Sequence, residues 1–306
     1  MPRLAKQLNL GKLFVKRDDG TGLAMGGNKA RKLEYDFAPI LAGGHDVVVT
    51  VGGAQSNHAA MTAAAARRLG LDVKLVLGGP AVTRLRGNML LDAVYGAEVR
   101  YLLDDDANDS LAAAMEAWVV ELRRDGRRPY ALPIGGSSGL GAIGYVRAMR
   151  ELAGQFGPGP FQVVTAVGSC GTFAGRALGG RLFAPGARIV GISVSRTAGQ
   201  IAARTSELAA ESAAILGMAP PDLGALEVHD GFHERYGVAT ASGAEAIRVA
   251  ARLEGLLLDP VYTGKSMAAL FALARSGALD PAVPVVFLHT GGLPILFAVD
   301  LPEERA

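Results

Sequence analysis

Short runs of β-branched and aliphatic residues alternate with longer alanine-rich stretches along almost the whole chain. The runs at 47–51, 73–77, 98–102, 130–133, 163–167, 188–193 and 285–289 predict strands. Between and around them, helices are expected over 32–41, 57–69, 85–95, 107–124, from about 141 to 153, and over 172–183. Three more are expected from 201 towards 216, over 242–255 and over 265–276. Most of the strand runs are continuously apolar instead of alternating, so they should be buried on both faces. That pattern implies parallel sheets covered by helices, an α/β fold. Residues 217–243 carry little pattern and read as a long functional loop, while GQFGPGP (154–160) reads as an exposed loop. No internal repeat and no low-complexity tract interrupts the alternation.

The chain has 306 residues, which is large for one ordinary domain and suits two. Half of its residues are hydrophobic and 20% are charged, enough for a large core and against disorder. A net charge of +2 gives no electrostatic case for nucleic acid. A single cysteine, Cys170, excludes an internal disulfide framework and fits a reducing cytoplasm. No stretch is long and apolar enough to suggest a membrane span.

Glycine changes the picture most. Four strand ends run into glycine-rich turns: VGGAQSNH (51–58), PIGGSSGLGAIG (133–144), VGSCGTFAG (167–175) and HTGGLP (289–294), and a fifth pair stands in AMGGNKARK (24–32). In open α/β sheets ligands sit at the carboxyl ends of strands, where free N–H groups of helix N-termini attract anions. Any one such turn is ordinary; the set implies an anionic ligand. Gly168, Ser169, Cys170, Gly171 and Thr172 form the best phosphate cradle, between an apolar strand and an alanine-rich helix. It lacks the lysine of a nucleotide-binding P-loop, which points to a phosphorylated cofactor instead of a nucleoside triphosphate.

Three other motifs compete. Gly139 to Gly144 match GxGxxG, but the following strand ends without the acid that a dinucleotide site needs. Gly135 to Gly139 match GxSxG with Ser137 as a nucleophile, and Asp259 and His289 follow in hydrolase order, so a serine hydrolase is the rival from another class. His229 and His233 have metal-ligand spacing only on a helix, which Gly231 opposes, so no metal site is expected.

Lys29 sits between a glycine pair and a helix start. On local context alone it is an ordinary surface lysine. A pyridoxal-phosphate enzyme, however, needs a lysine amine whose proton affinity falls on desolvation.

The stretches KRDDGTGLAMGGNKARKLEY (16–35), TVGGAQSNHAAMTAAAARRLGL (50–71), GGSSGLGAIGY (135–145), GSCGTFAG (168–175), LLDPVYTGKSM (257–267) and FLHTGGLPILFA (287–298) resemble, in order, the D-cysteine desulfhydrase and 1-aminocyclopropane-1-carboxylate deaminase family. The resemblance implies a two-domain fold like tryptophan synthase β, each domain an open, mostly parallel sheet flanked by helices. Residues 1–31 and 140–306 would form the larger domain and 32–139 a smaller inserted one, usually in a homodimer. It implies pyridoxal 5′-phosphate as cofactor and a small amino acid as substrate. Lys29 matches the Schiff-base lysine, and Asn28 the residue that bonds the ring hydroxyl. Gly168 to Thr172 match the phosphate loop, and Thr290 the hydroxyl facing the ring nitrogen. Ser56, Asn57 and His58, with Gln55 beside them, match the loop for the substrate carboxylate, although Ser56 alone reads as a plain N-cap. Tyr262 and Tyr236 match the two active-site tyrosines.

Deaminase-type members carry Glu after the tyrosine, facing the ring nitrogen, where this chain has Thr263. A carboxylate keeps that nitrogen protonated and the ring a strong electron sink; a hydroxyl does not. The expectation is therefore β-elimination, with D-cysteine giving pyruvate, hydrogen sulfide and ammonia. 1-Aminocyclopropane-1-carboxylate deamination and L-cysteate sulfo-lyase activity are the alternatives within the family. A protein that carries the cofactor without turnover is a remoter one.

Overall fold

The computed structural model describes residues 1–81, 84–103 and 108–303. Along the chain the elements are α1 (Pro2–Gln7), β1 (Leu13–Arg17), α2 (Lys29–Ala42), β2 (Val47–Gly53), α3 (Asn57–Arg68), β3 (Asp72–Gly78), α4 (Gly87–Val94) and β4 (Glu98–Leu102). There follow α5 (Asn108–Arg124), β5 (Pro129–Leu132), α6 (Gly139–Phe156), β6 (Gln162–Val167), α7 (Gly171–Phe183), β7 (Arg188–Ser193), α8 (Ala198–Ile215) and β8 (Glu227–His229). The last are α9 (Ala241–Glu254), α10 (Thr263–Arg275), β9 (Val285–His289) and α11 (Leu293–Leu296). The expected helix start at Ala107 lies outside the described residues.

The strands form two sheets, and every pairing is parallel. One is ordered β1-β9-β6-β7-β8 and the other β4-β3-β2-β5. The first draws its strands from both ends of the chain, the second from the middle. Their inner strands are the continuous apolar runs: every residue of β6 and β9 is buried, as are Val47, Val48 and Val49 of β2. This is what a sheet covered by helices on both faces requires.

Two strands escape the pattern reading. Both β1 and β8 lie at the edges of the first sheet. In β1 only Leu13 is buried, and β8 has no buried residue. An edge strand has one flank open to solvent and so tolerates Lys16, Arg17 and Glu227, which erases the apolar run. Helix α2 begins at Lys29, not at 32, so it runs unbroken across 31/32; α6 begins at Gly139.

The GxGxxG run is a packing device. Gly141 and Gly144 lie inside α6 against α2: a Cβ on Gly144 would stand 2.0 Å from the Arg31 carbonyl oxygen, and one on Gly141 would stand 2.6 Å from an Asp36 oxygen. Gly144 lets two helix backbones touch, and Gly141 makes room for the Asp36 carboxylate, so the run serves packing.

One buried group works against stability. Asp92 of α4 is 1% exposed, and neither carboxylate oxygen has a hydrogen-bond partner among the described residues. Burial raises its pKa to about 8. A carboxyl with a raised folded-state pKa binds its proton more tightly folded than unfolded. Its contribution is therefore fully present below the unfolded value of about 4 and is lost as pH rises through the folded one. We expect thermal stability to fall between about pH 4 and pH 8 through this residue. Asp92→Asn should flatten that slope and recover on the order of 1–3 kcal/mol at pH 8. Melting curves of the two proteins across this range check it; parallel slopes would refute the assignment.

Candidate active site

The glycine-rich turns converge on one cleft of about 560 Å³, lined by residues of both sheets' strand ends. Its floor is held by two glycine pairs. Gly27 and Gly291 form an isolated bridge, and the Asn28 N–H donates to the Thr290 carbonyl at 2.9 Å. A Cβ on Gly291 would stand 2.6 Å from the Gly27 Cα, so neither turn tolerates a side chain where they meet. This contact fixes the first turn of α2, and with it Lys29.

The Lys29 amine donates to the Gly135 carbonyl at 3.2 Å. Lys32, one turn on, is 1% exposed and donates to the same carbonyl and to Ser137 Oγ. Desolvation lowers the Lys29 pKa to about 8. The same desolvation, with the neighbouring Lys29 charge, drives Lys32 well below the ordinary lysine value. Asp36, a turn further along α2, supplies the counter-charge. Its own pKa is raised to about 6 by burial, against a 2.6 Å hydrogen bond from Ser138 Oγ and the pull of Lys32. Lys29, Lys32 and Asp36 thus share one face of α2, with the amines at the site end.

On one side of Lys29 lies the loop from β6 into α7. Cys170 is its left-handed residue, with φ 70°, and caps α7 through its backbone. The kink turns the first N–H groups of α7 into a nest beside the hydroxyls of Ser169 and Thr172. Asn28 Nδ2 donates to Thr172 Oγ1 at 2.9 Å, and Ser137 Oγ donates to Ser169 Oγ at 2.8 Å. Ser137 also accepts from the Gly171 N–H at 3.2 Å. This donor set, with the Lys32 amine beneath it and no carboxylate in it, suits a phosphate monoester. The residues fit pyridoxal phosphate.

The second wall is the N-terminus of α3. Ser56 caps it, accepting from the Ala59 N–H at 3.2 Å. His58 is buried, with its ring nitrogens engaged by Thr50 Oγ1 at 2.9 Å and Thr62 Oγ1 at 3.4 Å. Burial, with Lys29 and Lys32 nearby, pushes it well below the ordinary histidine pKa, so it is neutral. Asn88 of α4 organises this loop. Its Nδ2 donates to the Gln55 carbonyl at 3.0 Å and to Asn57 Oδ1 at 2.7 Å, while its N–H donates to Gln55 Oε1 at 2.9 Å. The side chains of Gln55 and Asn57 therefore brace the loop, and its N–H groups are what it offers to an anion.

Two tyrosines close the cleft. Their hydroxyls lie 2.6 Å apart, with Tyr236 on the segment after β8 and Tyr262 capping α10. Tyr262 is placed by Asp259, fully buried, whose Oδ2 accepts from the N–H groups of Val261 and Tyr262 at 2.9 and 2.8 Å. Desolvation in the cleft raises the pKa of both phenols, so both keep their protons.

Lys29, Asn28, Ser56, Asn57, His58, Tyr236, Tyr262, Thr290 and four residues of the phosphate-type loop all line the cleft. Thr263 does not face it. It is fully buried, and its hydroxyl donates to Asp259 Oδ1 at 2.6 Å, so it completes the cap of α10 and does not line the cleft. The hydrolase triad is not assembled either. His289 Nε2 bonds the Leu257 carbonyl at 2.7 Å, its Nδ1 accepts from the Gly291 N–H at 3.2 Å, and Asp259 is engaged at α10. His229 bonds Glu227, and no cluster that could hold a metal occurs among the described residues. Sequence reasoning missed Lys32, Asp36 and Asn88, and it assigned Asp259 to a hydrolase triad instead of to the cap of α10. Only the helical spacing of Lys29, Lys32 and Asp36 could have signalled any of them.

Known proteins resemble this chain over almost its whole length. A putative 1-aminocyclopropane-1-carboxylate deaminase of Pyrococcus horikoshii is 42% identical over 298 residues, covering 96% of this chain and 88% of that protein. A D-cysteine desulfhydrase of Yersinia pestis is 41% identical over 294 residues, covering 94% and 88%. A solved structure described as an ACC deaminase homologue superposes with a TM-score of 0.90 at 42% identity, covering 97% of this chain and 89% of that one. Residues 1–291 match the family of pyridoxal-phosphate dependent enzymes, and the chain belongs to that family.

Proposed function

We propose that the protein eliminates a β-substituent from a small amino acid, with D-cysteine as the substrate; hydrogen sulfide leaves, and the released aminoacrylate takes up one water to give pyruvate and ammonia. The observation that carries the reading is the position of the Lys29 amine. It stands at the floor of one cleft, between an anion-binding loop, a second helix N-terminus and a pair of protonated tyrosines. Bound there, pyridoxal 5′-phosphate supplies an electron sink for the negative charge that develops at a substrate Cα.

The residues divide the remaining work. Lys29 Nζ would hold the cofactor and, as a free amine, would take the substrate Cα proton; its pKa of about 8 makes a neutral amine accessible near neutral pH. The 168–172 loop, with Lys32 beneath it, would hold the phosphate. Asn28 is placed to bond the ring hydroxyl. The N–H groups of residues 56–58 receive the substrate carboxylate, helped by the α3 dipole. Tyr262 Oη hands its proton to the departing thiolate, and Tyr236 Oη, hydrogen-bonded to it, steadies that hydroxyl.

The preference for elimination over ring opening rests on what faces the ring nitrogen. Thr290 lines the cleft, and Asp259 is committed to α10. A hydroxyl there leaves a weaker sink, which suits loss of a good leaving group better than scission of a strained carbon–carbon bond. A two-domain division, with residues 32–139 inserted between 1–31 and 140–306, a homodimeric state and a cytoplasmic setting belong to the same reading. No described helix is long and apolar enough to cross a membrane.

The test is one panel: D-cysteine, L-cysteine, L-cysteate and 1-aminocyclopropane-1-carboxylate, with pyruvate, 2-oxobutyrate and sulfide measured. Pyruvate with sulfide from D-cysteine is expected. 2-Oxobutyrate from the cyclopropane substrate alone would replace this reading with the deaminase. Lys29→Ala should abolish both the visible cofactor band and turnover. Asn88→Ala, which frees the loop that takes the carboxylate, should raise KM by about tenfold while changing kcat less, the signature of lost uniform binding; an unchanged KM would remove Asn88 from the site.

A further inference from the structure

Lys265 is the most costly residue near the cleft that the chemistry above does not use. It is fully buried, and it lies in the first turn of α10, three residues beyond Tyr262. Both circumstances oppose an ammonium group: burial removes its hydration, and a helix N-terminus carries partial positive charge. A methionine or leucine would fill the same volume without either cost. Desolvation lowers its pKa to about 8, against the pull of Asp259 and Glu234.

Its hydrogen bond shows what the amine does. Nζ donates to the Arg235 carbonyl at 3.3 Å, across 30 residues of chain. Arg235 immediately precedes Tyr236, in a segment without regular structure between β8 and α9. The Tyr236 ring meets Tyr262 edge-on at 6.1 Å between centroids. It also lies over the loop at the end of β2, where a Cβ on Gly53 would stand 3.1 Å from its Cε1. Tyr236 is nonetheless 42% exposed, so packing alone does not hold it. Lys265 itself does not line the cleft, whereas residues 234–237 do.

We propose that Lys265 is a positioning residue: its buried ammonium ties the Arg235 carbonyl to the first turn of α10, and so sets the Tyr236 hydroxyl against that of Tyr262. A cation is suited to the task because it holds a carbonyl by a charge-assisted bond, and the neighbouring acids Asp259 and Glu234 keep it in place. The device joins two chain segments whose tyrosines must meet within hydrogen-bond distance. The catalytic half of the proposal rests on the role given to Tyr236 above; the structural half does not.

The test combines a double-mutant cycle with amide exchange on the cofactor-loaded enzyme. Lys265→Met should lower kcat by about tenfold or more, as a misplaced catalytic group does, with a smaller change in KM. In a Tyr236→Phe background the same substitution should add less than about twofold, because the residue acts through a hydroxyl that is already gone. Exchange across residues 231–240 should quicken by about tenfold in Lys265→Met, with the visible cofactor band retained. Lys265→Gln, which keeps a donor, should lie between wild type and methionine on both readouts, and it serves if the methionine variant does not fold. Independent, multiplying losses in the double variant would overturn the proposal, as would unchanged exchange in 231–240. Full activity of Tyr236→Phe would overturn the role of Tyr236 and the catalytic half with it, while exchange would still report the tether.

Discussion

The close approach of two glycine pairs is the constraint on which the cleft depends. Gly27 and Gly291 meet with no room for a side chain, and the Asn28 N–H reaches the Thr290 carbonyl across that contact. One turn leads into α2 and the other leaves β9, so the bridge fixes where a helix starts relative to a sheet. Lys29 is the first residue of that helix, and Thr290 lies on the opposing turn. A side chain at either glycine would push apart the two groups that must bracket one ligand. The backbone of α2 is then met on its other side by Gly144 of α6. The lysine is placed by backbone contacts on both sides, which leaves its amine as the part free to react.

Electrostatics completes what packing begins. Lys32, Asp36 and His58 are buried, and Lys29 is half-buried, within a short distance of the Gly135 carbonyl, an arrangement that is costly without a ligand to receive it. The cost is contained by matching. Asp36 balances Lys32, His58 stays neutral, and Ser138 and the backbone hold the Asp36 carboxylate. Desolvation lowers the proton affinity of both amines, and the Lys29 charge lowers that of Lys32 further; a nucleophile and base needs such a lowered affinity near neutral pH. The tyrosine pair is the complementary arrangement. Their phenols are raised, so they hold protons where Lys29 can lose one. One end of the cleft takes a proton and the other gives one.

Most of the layering was legible in the sequence because the inner strands are apolar on both faces and alternate with alanine-rich helices. The edge strands β1 and β8 were not, since an exposed flank lets Lys16, Arg17 and Glu227 break the run. The set of glycine turns pointed to an anionic ligand, and the order of motifs pointed to the family. What the sequence could not show was which side chains are turned inward. Thr263 neighbours an active-site tyrosine in sequence, yet its hydroxyl caps α10 on Asp259. Gln55 and Asn57 lie in the right loop, yet Asn88, 31 residues beyond Asn57, engages them both. GxGxxG and GxSxG are both present as strings; the first is a helix-packing surface, and the serine of the second braces the loop at Ser169. Long-range partners decide such roles, and local spacing carries no trace of them.

The central claim is that Lys29, among several buried or half-buried lysines near the cleft, is the residue that bonds the cofactor. Reductive trapping reads this directly. The protein is loaded with pyridoxal 5′-phosphate and reduced with borohydride, and its proteolytic peptides are mapped by mass to find the residue that carries the pyridoxyl group. The account predicts the label on Lys29 alone. A label on Lys32 or Lys265, or no covalent label despite bound cofactor, would contradict it.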